Sequence, residues 1–285
     1  MIVVSKDNRS DKNIGIAFIL NFGFTIIEIF GAIITNSMAI LADAIHDAGD
    51  SISLGISWVF ERKSKKEPDA DYTYGYERFS LLGALISSFV LFGAAIYIFT
   101  ETIPRLLSPE PVDAFGMILL SVLGILFNGV AVLRLKRGSS HHEKIVTWHL
   151  LEDLFGWVAI MITSIILYFV DWYFLDPLLS MLITLYVILH VMRNLIKVIR
   201  VLLQGSPKDL NIQKLRKQIE SITGVKRAYH FHAWSLEGSK TMLTMHVVIE
   251  HNILNNEVMK LKKKVREYLH EHHVEHSTIE IEFRK

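Results

Sequence analysis

Two short patterns bring metal-binding chemistry into this chain: His46-Asp47-Ala48-Gly49-Asp50 and His149-Leu150-Leu151-Glu152-Asp153, each a His-x-x-x-Asp pair inside a long apolar run. Side chains four apart on a helix share a face, so each pair sets an imidazole beside a carboxylate. Two such helices packed together would bring four nitrogen and oxygen donors to one point, which is the number and mixture a tetrahedral Zn²⁺ site takes. Ionisable groups at membrane depth cost roughly 2.5–3.5 kcal/mol each on insertion scales and mark ion or proton routes. A polar contact between helices, or a turn of a solvated helix end, accounts for either pair taken alone. Two matching pairs in corresponding apolar segments point to a shared site.

On the first helix, at 100° per residue, Asp43, His46 and Asp50 fall on one stripe and Asp47 lies at its edge. His46 and Asp50 are therefore the expected ligands. Asp43 suits support of a ligating imidazole, proton relay, or a wetted vestibule. On the second helix the pair is His149 and Asp153, with Glu152 about a quarter turn away. Glu28 and Asn21, seven apart and so on one face, and Asn128 are further polar groups at membrane depth. They line an ion path or, as interhelical hydrogen bonds, fix packing.

The elements that hold these residues follow from composition. Of 285 residues 51% are hydrophobic, the net charge is +1, and the apolar residues gather into runs long enough to cross a bilayer. Six spans are expected, at about 13–35, 37–61, 79–103, 112–135, 145–170 and 175–203. Residues 1–204 then form a transmembrane domain, and the charged, amphipathic remainder, 205–285, a soluble one. Cysteine is absent, so any metal is held by nitrogen and oxygen. No signal-peptide cleavage pattern is seen, so the first run is expected to stay as a span. Lys6, Arg9, Lys12, Arg62, Lys63, Lys65, Lys66, Arg78, Arg134, Lys136, Arg137 and Lys144 fall on one side of the membrane, against Arg105 on the other. That asymmetry puts both termini, and the soluble domain, in the cytoplasm. A net charge near zero argues against a nucleic-acid partner.

In the soluble region the pattern predicts an amphipathic helix over 208–222, strands over 225–235 and 240–250 around Glu237-Gly238-Ser239, a helix over 255–273 and a strand over 277–283. By the two-residue period His230, His232 and Trp234 share a face. A three-residue turn places His246 opposite His230, whereas an even-length turn puts it on the other side, so register decides whether these imidazoles meet. His270, His272, His273 and His276 have pairs at helical spacing and read as a solvated helix end.

The run Asn36 to Asp50, Tyr74-Gly75-Tyr76-Glu77-Arg78, the stretch His149 to Gly156, Gly224-Val225 and His232-Ala233-Trp234-Ser235 together resemble the cation diffusion facilitator family, over nearly the whole chain. The resemblance implies six transmembrane helices, a cytoplasmic ferredoxin-like α+β (βαββ) domain, a homodimer, and export of divalent cations against protons. By motif it makes His46, Asp50, His149 and Asp153 the transport site, in the two-His, two-Asp form of the zinc branch, where cadmium is a common second substrate. It also implies regulatory metal between cytoplasmic domains, for which His230, His232, His246 and Glu282 are the candidates. Three features depart from the family pattern. Glu152 stands where a small residue is frequent; Tyr72, near Asp69 and Asp71, stands where some members have a loop metal-binding His; and only His141 and His142 remain of a His-rich loop, read here as solvated.

Four protein ligands leave no open position, which suits carriage of an ion better than activation of water, and protons compete with Zn²⁺ for neutral imidazole. The expectation is a zinc/proton antiporter and not an enzyme, in a prokaryotic inner membrane. An intramembrane metalloenzyme would need a general base such as that of His-Glu-x-x-His, which does not occur here. A passive cation channel would carry rings of carboxylates without zinc-binding imidazoles. A metal sensor that does not transport is distinguished only by flux. Manganese or iron would favour a site richer in carboxylates.

Overall fold

The structure is a computed structural model that describes residues 8–135, 141–250 and 255–283; side chains are described from Phe22 onward, except at 134–135, 141–146, 149 and 255. Six long helices come first: α1 (Asn8–Thr35), α2 (Met38–Ser64), α3 (Arg78–Leu107), α4 (Ala114–Leu135), α5 (His141–Phe169) and α6 (Leu175–Leu202). Four of them, α3 to α6, contain stretches long and apolar enough to cross a membrane, and α1 adds an apolar stretch at Phe22–Thr35. In α2, Asp43, Asp47 and Asp50 interrupt the run that would otherwise qualify.

The chain divides into two compact units, 1–57 with 86–194 and 58–85 with 195–285. In the first, Phe24, Ile40, Met117, Trp157 and Ile160 form a buried core, with Phe24 stacked on Phe127 at 5.0 Å between ring centroids. Gly124 on α4 lies directly under the Trp157 ring, where any Cβ would collide with it. This absence of a side chain brings α4 and α5 together and holds α5 in the orientation that presents Asp153 inward.

The start of α2 is anchored. Asp176, 1% exposed, reaches from the first turn of α6. It accepts the Ser37 hydroxyl at 2.5 Å and the Met38 and Ala39 amides at 2.7 and 3.3 Å. A carboxylate there satisfies orphan amides and meets the positive end of the helix dipole. Arg105 of α3 binds the carbonyl and side-chain oxygens of Asn36 at 3.1 and 2.7 Å, fixing the turn between α1 and α2. These contacts set the depth at which His46 sits, two turns further on.

The second unit carries α7 (Ile212–Glu220), β1 (Val225–Ser235), β2 (Thr241–Ile249), α8 (Asn255–Glu271) and β3 (Val274–Phe283). The α+β class is as expected, with element order αββαβ. Strand β2 is central, antiparallel to β1 and parallel to β3. Leu215 and Ile219 of α7, Val265 and Leu269 of α8 and the inward residues of β2 form the core. The strand β3 begins three residues earlier than the alternation predicts, because Val274 is itself buried in that core.

Candidate metal centre

Helix α2 delivers Asp43, His46, Asp47 and Asp50, and α5 delivers Asp153, to the interior of the first unit. Gly156 permits the approach. A Cβ there would lie 3.2 Å from Asp43 Oδ1, so the absent side chain lets α2 press a carboxylate against α5. One donor atom each from His46, Asp47 and Asp153 lies within 4.8 Å of the others, and His46 Nε2 is 3.8 Å from Asp50 Oδ2. Asp43, Asp47 and Asp153 are 4%, 0% and 3% exposed. Three carboxylates withdrawn from water in one place are stable only with protons or a cation to balance them.

The side chain of His149 lies outside the described residues; its backbone is helical, one turn before Asp153, and so on the same face of α5. Asn21 is likewise within α1 with its side chain outside the described residues. Glu28 of α1 is fully buried, both its oxygens lack a hydrogen-bond partner among the described residues, and the charges of Asp47, Asp43 and Asp153 act on it. Asn128 of α4 is buried, with no hydrogen-bond partner for its amide nitrogen among the described residues. Asp43, His46, Glu152 and Asp153 line a cavity of about 380 Å³ together with Tyr186 of α6.

Asp47, at the edge of the helical stripe, joins the group in space. A wheel measures angle about its own axis, whereas the ligand face is set by where α5 arrives. Asp47 is more deeply buried than Asp50, and a donor atom of it lies within 4.8 Å of donors of both His46 and Asp153.

The cytoplasmic candidates form a second cluster. His246 Nδ1 is 2.7 Å from Glu282 Oε1, and His246 Nε2 is 3.6 Å from Glu280 Oε2. Tyr229 donates its hydroxyl to both oxygens of Glu282, at 2.7 and 2.8 Å. The His230 ring lies 4.9 Å from that of His246 and 4.7 Å from that of His232, between centroids. Register brings this about by a route that simple alternation does not contain. Pairing runs regularly from Ser235↔Thr241 to His232↔Thr244, then shifts, so His246 faces Tyr229 and not His230. His230, at φ 55°, sits in the resulting bulge, which turns Tyr229 and His230 to one side. Glu280, a neighbour of His246 across the parallel pair, was not among the expected ligands, although its two-residue spacing from Glu282 signals a shared face.

The loop after α2 holds no such cluster among the described residues. Asp69 Oδ2 takes the Lys66 ammonium and the Tyr76 hydroxyl, both at 2.7 Å, and its Oδ1 takes the Tyr72 and Asp71 amides at 2.9 and 3.1 Å. The Lys66 ammonium, then the Tyr76 hydroxyl and the Tyr72 amide, hold the Asp69 carboxyl well below the usual carboxylate range. Lysine supplies here the positive charge that a metal would. Of the histidines expected at a solvated helix end, His272 follows α8 and pairs with Tyr268 at 3.1 Å, whereas His276 lies in β3, because the strand begins at Val274, and stacks edge-on against Tyr74.

Residues 14–203 match the model of the cation efflux transmembrane domain, and residues 207–283 that of the cation efflux protein cytoplasmic domain. The chain belongs to the cation diffusion facilitator family. Among curated relatives of this cation efflux protein, the zinc transporter ZitB of Pectobacterium atrosepticum is 31% identical over 284 residues, covering 98% of this chain and 88% of the relative. The metal cation efflux system protein CzcD of Cupriavidus metallidurans is 33% identical over 275 residues, covering 96% and 87%. A cadmium, cobalt and zinc/H(+)-K(+) antiporter of Bacillus subtilis is 28% identical over 280 residues, covering 97% and 90%. The protein is thus a multi-pass membrane protein of divalent metal efflux, and the channel, sensor and metalloenzyme readings are not favoured.

Proposed function

We propose that this cation efflux protein exports zinc from the cytoplasm in exchange for protons, carrying the ion at His46, Asp50, His149 and Asp153. The observation that carries this reading is the convergence of His46, Asp47 and Asp153 from two helices inside the bundle, with Asp50 beside His46. Zinc fits the donor set of imidazole and carboxylate. Asp43 and Glu28 are buried acids along the ion path that can hold protons, and Asn128 contributes a polar group to the same path. An imidazole binds metal only when neutral, so a more acidic exterior favours release of zinc and loading of protons, and the cytoplasm favours the reverse.

The basic residues of the loops support cytoplasmic termini. Residues 1–204 act as the transport domain and 205–285 as a cytoplasmic dimerisation domain, in which His230, His232, His246 and Glu282, with Glu280, hold regulatory metal. The protein works as a homodimer in a bacterial plasma membrane and performs no catalysis. Relatives that carry cadmium and cobalt in their names make those ions secondary substrates to examine.

The test is Zn²⁺ flux in proteoliposomes with and without an imposed pH gradient, for the native chain and for His149→Ala. Gradient-driven flux, lost in the variant, is expected. Native flux indifferent to the gradient would replace exchange by facilitated passage, and a folded protein without flux would overturn transport.

A further inference from the structure

The cavity beside the buried centre carries an acid that a four-ligand site does not use. Glu152 precedes Asp153 on α5, so its side chain leaves the helix about 100° away from the inward face. It is exposed where Asp153 is buried, yet both line the same cavity with Asp43 and His46. From the facing helix α6, Tyr186 donates its hydroxyl to Glu152 Oε1 at 2.8 Å. The bond joins α5 to α6 on the cavity wall and engages one carboxylate oxygen. With about 380 Å³ of space, the cavity admits a divalent cation with a shell of ~6 waters at roughly 30 Å³ each.

We propose that Glu152 is a recruiting residue for transport, drawing the hydrated cation into the cavity and passing it to Asp153, while Tyr186 restrains its carboxylate from joining the buried ligands. The role rests on the reading of the buried centre as the transport site. A carboxylate fixed in a partly dry cleft raises the local concentration of cations. The same carboxylate, free to swing onto an ion already held by imidazole and aspartate, would add a fifth donor and slow release. The tyrosine hydrogen bond separates these two effects, because it leaves the charge in place and limits its reach.

The two partners therefore have opposite consequences on loss. Removing the charge weakens capture and leaves the later steps alone. Removing the hydroxyl strengthens holding at the expense of turnover. A bond that only tied α5 to α6 would give the same defect from either side.

The experiment is the initial rate of Zn²⁺ flux against Zn²⁺ concentration in proteoliposomes of the full chain, for the native protein, Glu152→Gln, Glu152→Asp, Tyr186→Phe and Asp153→Asn. Glu152→Gln is expected to raise KM about tenfold, the low end of what a focused charge adds to capture, with maximal rate within about twofold. Glu152→Asp keeps the charge and is expected to hold KM near the native value. Tyr186→Phe is expected to lower KM and maximal rate together. A native KM in Glu152→Gln, or the same loss of maximal rate in Glu152→Gln and Tyr186→Phe, overturns the recruiting role. Native flux in Asp153→Asn overturns the reading of the centre itself, whatever Glu152→Gln does.

Discussion

The intramembrane centre and the cytoplasmic cluster use the same donors, histidine with carboxylate, but surround them differently. In the membrane unit Glu28 and Asp43 are buried; beside Glu28 the described residues supply the Trp157 indole and the charges of Asp47, Asp43 and Asp153. On the sheet, Glu282 is engaged on both oxygens by Tyr229 and on one by His246. A carboxylate already satisfied by fixed donors is pre-oriented and changes little when a metal arrives. A set of buried acids whose charges act on one another is instead balanced by a positive partner, proton or metal, that can be exchanged. The first arrangement suits an ion that stays, the second an ion that is taken up and given away.

The comparison is tested hardest at the two aspartates that compete for the fourth position. If the buried centre is the working one, removing a ligand costs more than the roughly 10–100-fold that loss of a supporting group costs. Asp50→Asn is expected to reduce Zn²⁺ flux by more than about 100-fold, and Asp47→Asn by about tenfold, as befits a neighbour of the ligands. Flux assays with metal binding measured in parallel decide it. The reverse order would make Asp47 the ligand and Asp50 the support, which the 4.8 Å grouping of His46, Asp47 and Asp153 allows.

That ambiguity shows where sequence stops being readable. The pairs His46/Asp50 and His149/Asp153 stood out because four-residue spacing fixes a helix face whatever packs on it. The nearness of Asp47 to Asp153 depends on how α5 packs on α2, a property of two helices that the wheel of one does not contain. Helix and strand order in 205–285 followed from alternation and turn residues, and the long apolar runs gave the six long helices, four of which are long and apolar enough to cross a membrane. The bulge at His230 was not read from the sequence, because histidine, although enriched at positive φ, is also common in regular strands, and the shift to Tyr229↔His246 goes with it. Glu280 was readable from its spacing to Glu282. The role of Lys66 was readable from its three-residue distance to Asp69, once the loop was seen to lack the histidine.

On the cytoplasmic side the expected effect is smaller for transport and large for binding. Glu282→Gln removes the charge shared by Tyr229 and His246, and should weaken zinc binding by the cytoplasmic cluster more than about 100-fold, beyond the cost of losing a supporting group, while maximal flux falls far less than in Asp50→Asn. Titration calorimetry on full-length protein in detergent, with Asp153→Asn in both samples to silence the intramembrane centre, isolates the term. Equal loss of flux and binding would mean that the sheet cluster is part of the transport path, and the contrast drawn above would fail.

The smallest effect is expected in the loop, where the ammonium of Lys66 already stands beside Asp69. The Asp69 carboxyl is depressed by that ammonium first, then by the Tyr76 hydroxyl and the Tyr72 amide. A carboxyl whose folded value is depressed contributes order that is full above the ordinary aspartate range and is lost only as pH falls through the lower, folded value. Across the neutral range in which imidazoles exchange protons for metal, Asp69 should therefore keep its charge and its hold on Lys66. The chain has no cysteine, so a spin label on Asp71→Cys reports the loop alone. Its mobility should stay constant from about pH 8 down to about pH 5, since the ordinary carboxylate range lies lower still, and should rise at neutral pH in the Asp69→Asn background. Zinc should leave the label unmoved. The loop charge is exposed, and exposed pairs contribute little to stability, so flux in Asp69→Asn should stay within about twofold of native. Ordering of the label by zinc would show that metal displaces the lysine. The protein would then have a third place for the ion, and the division between a held site and an exchanging one would need a further member.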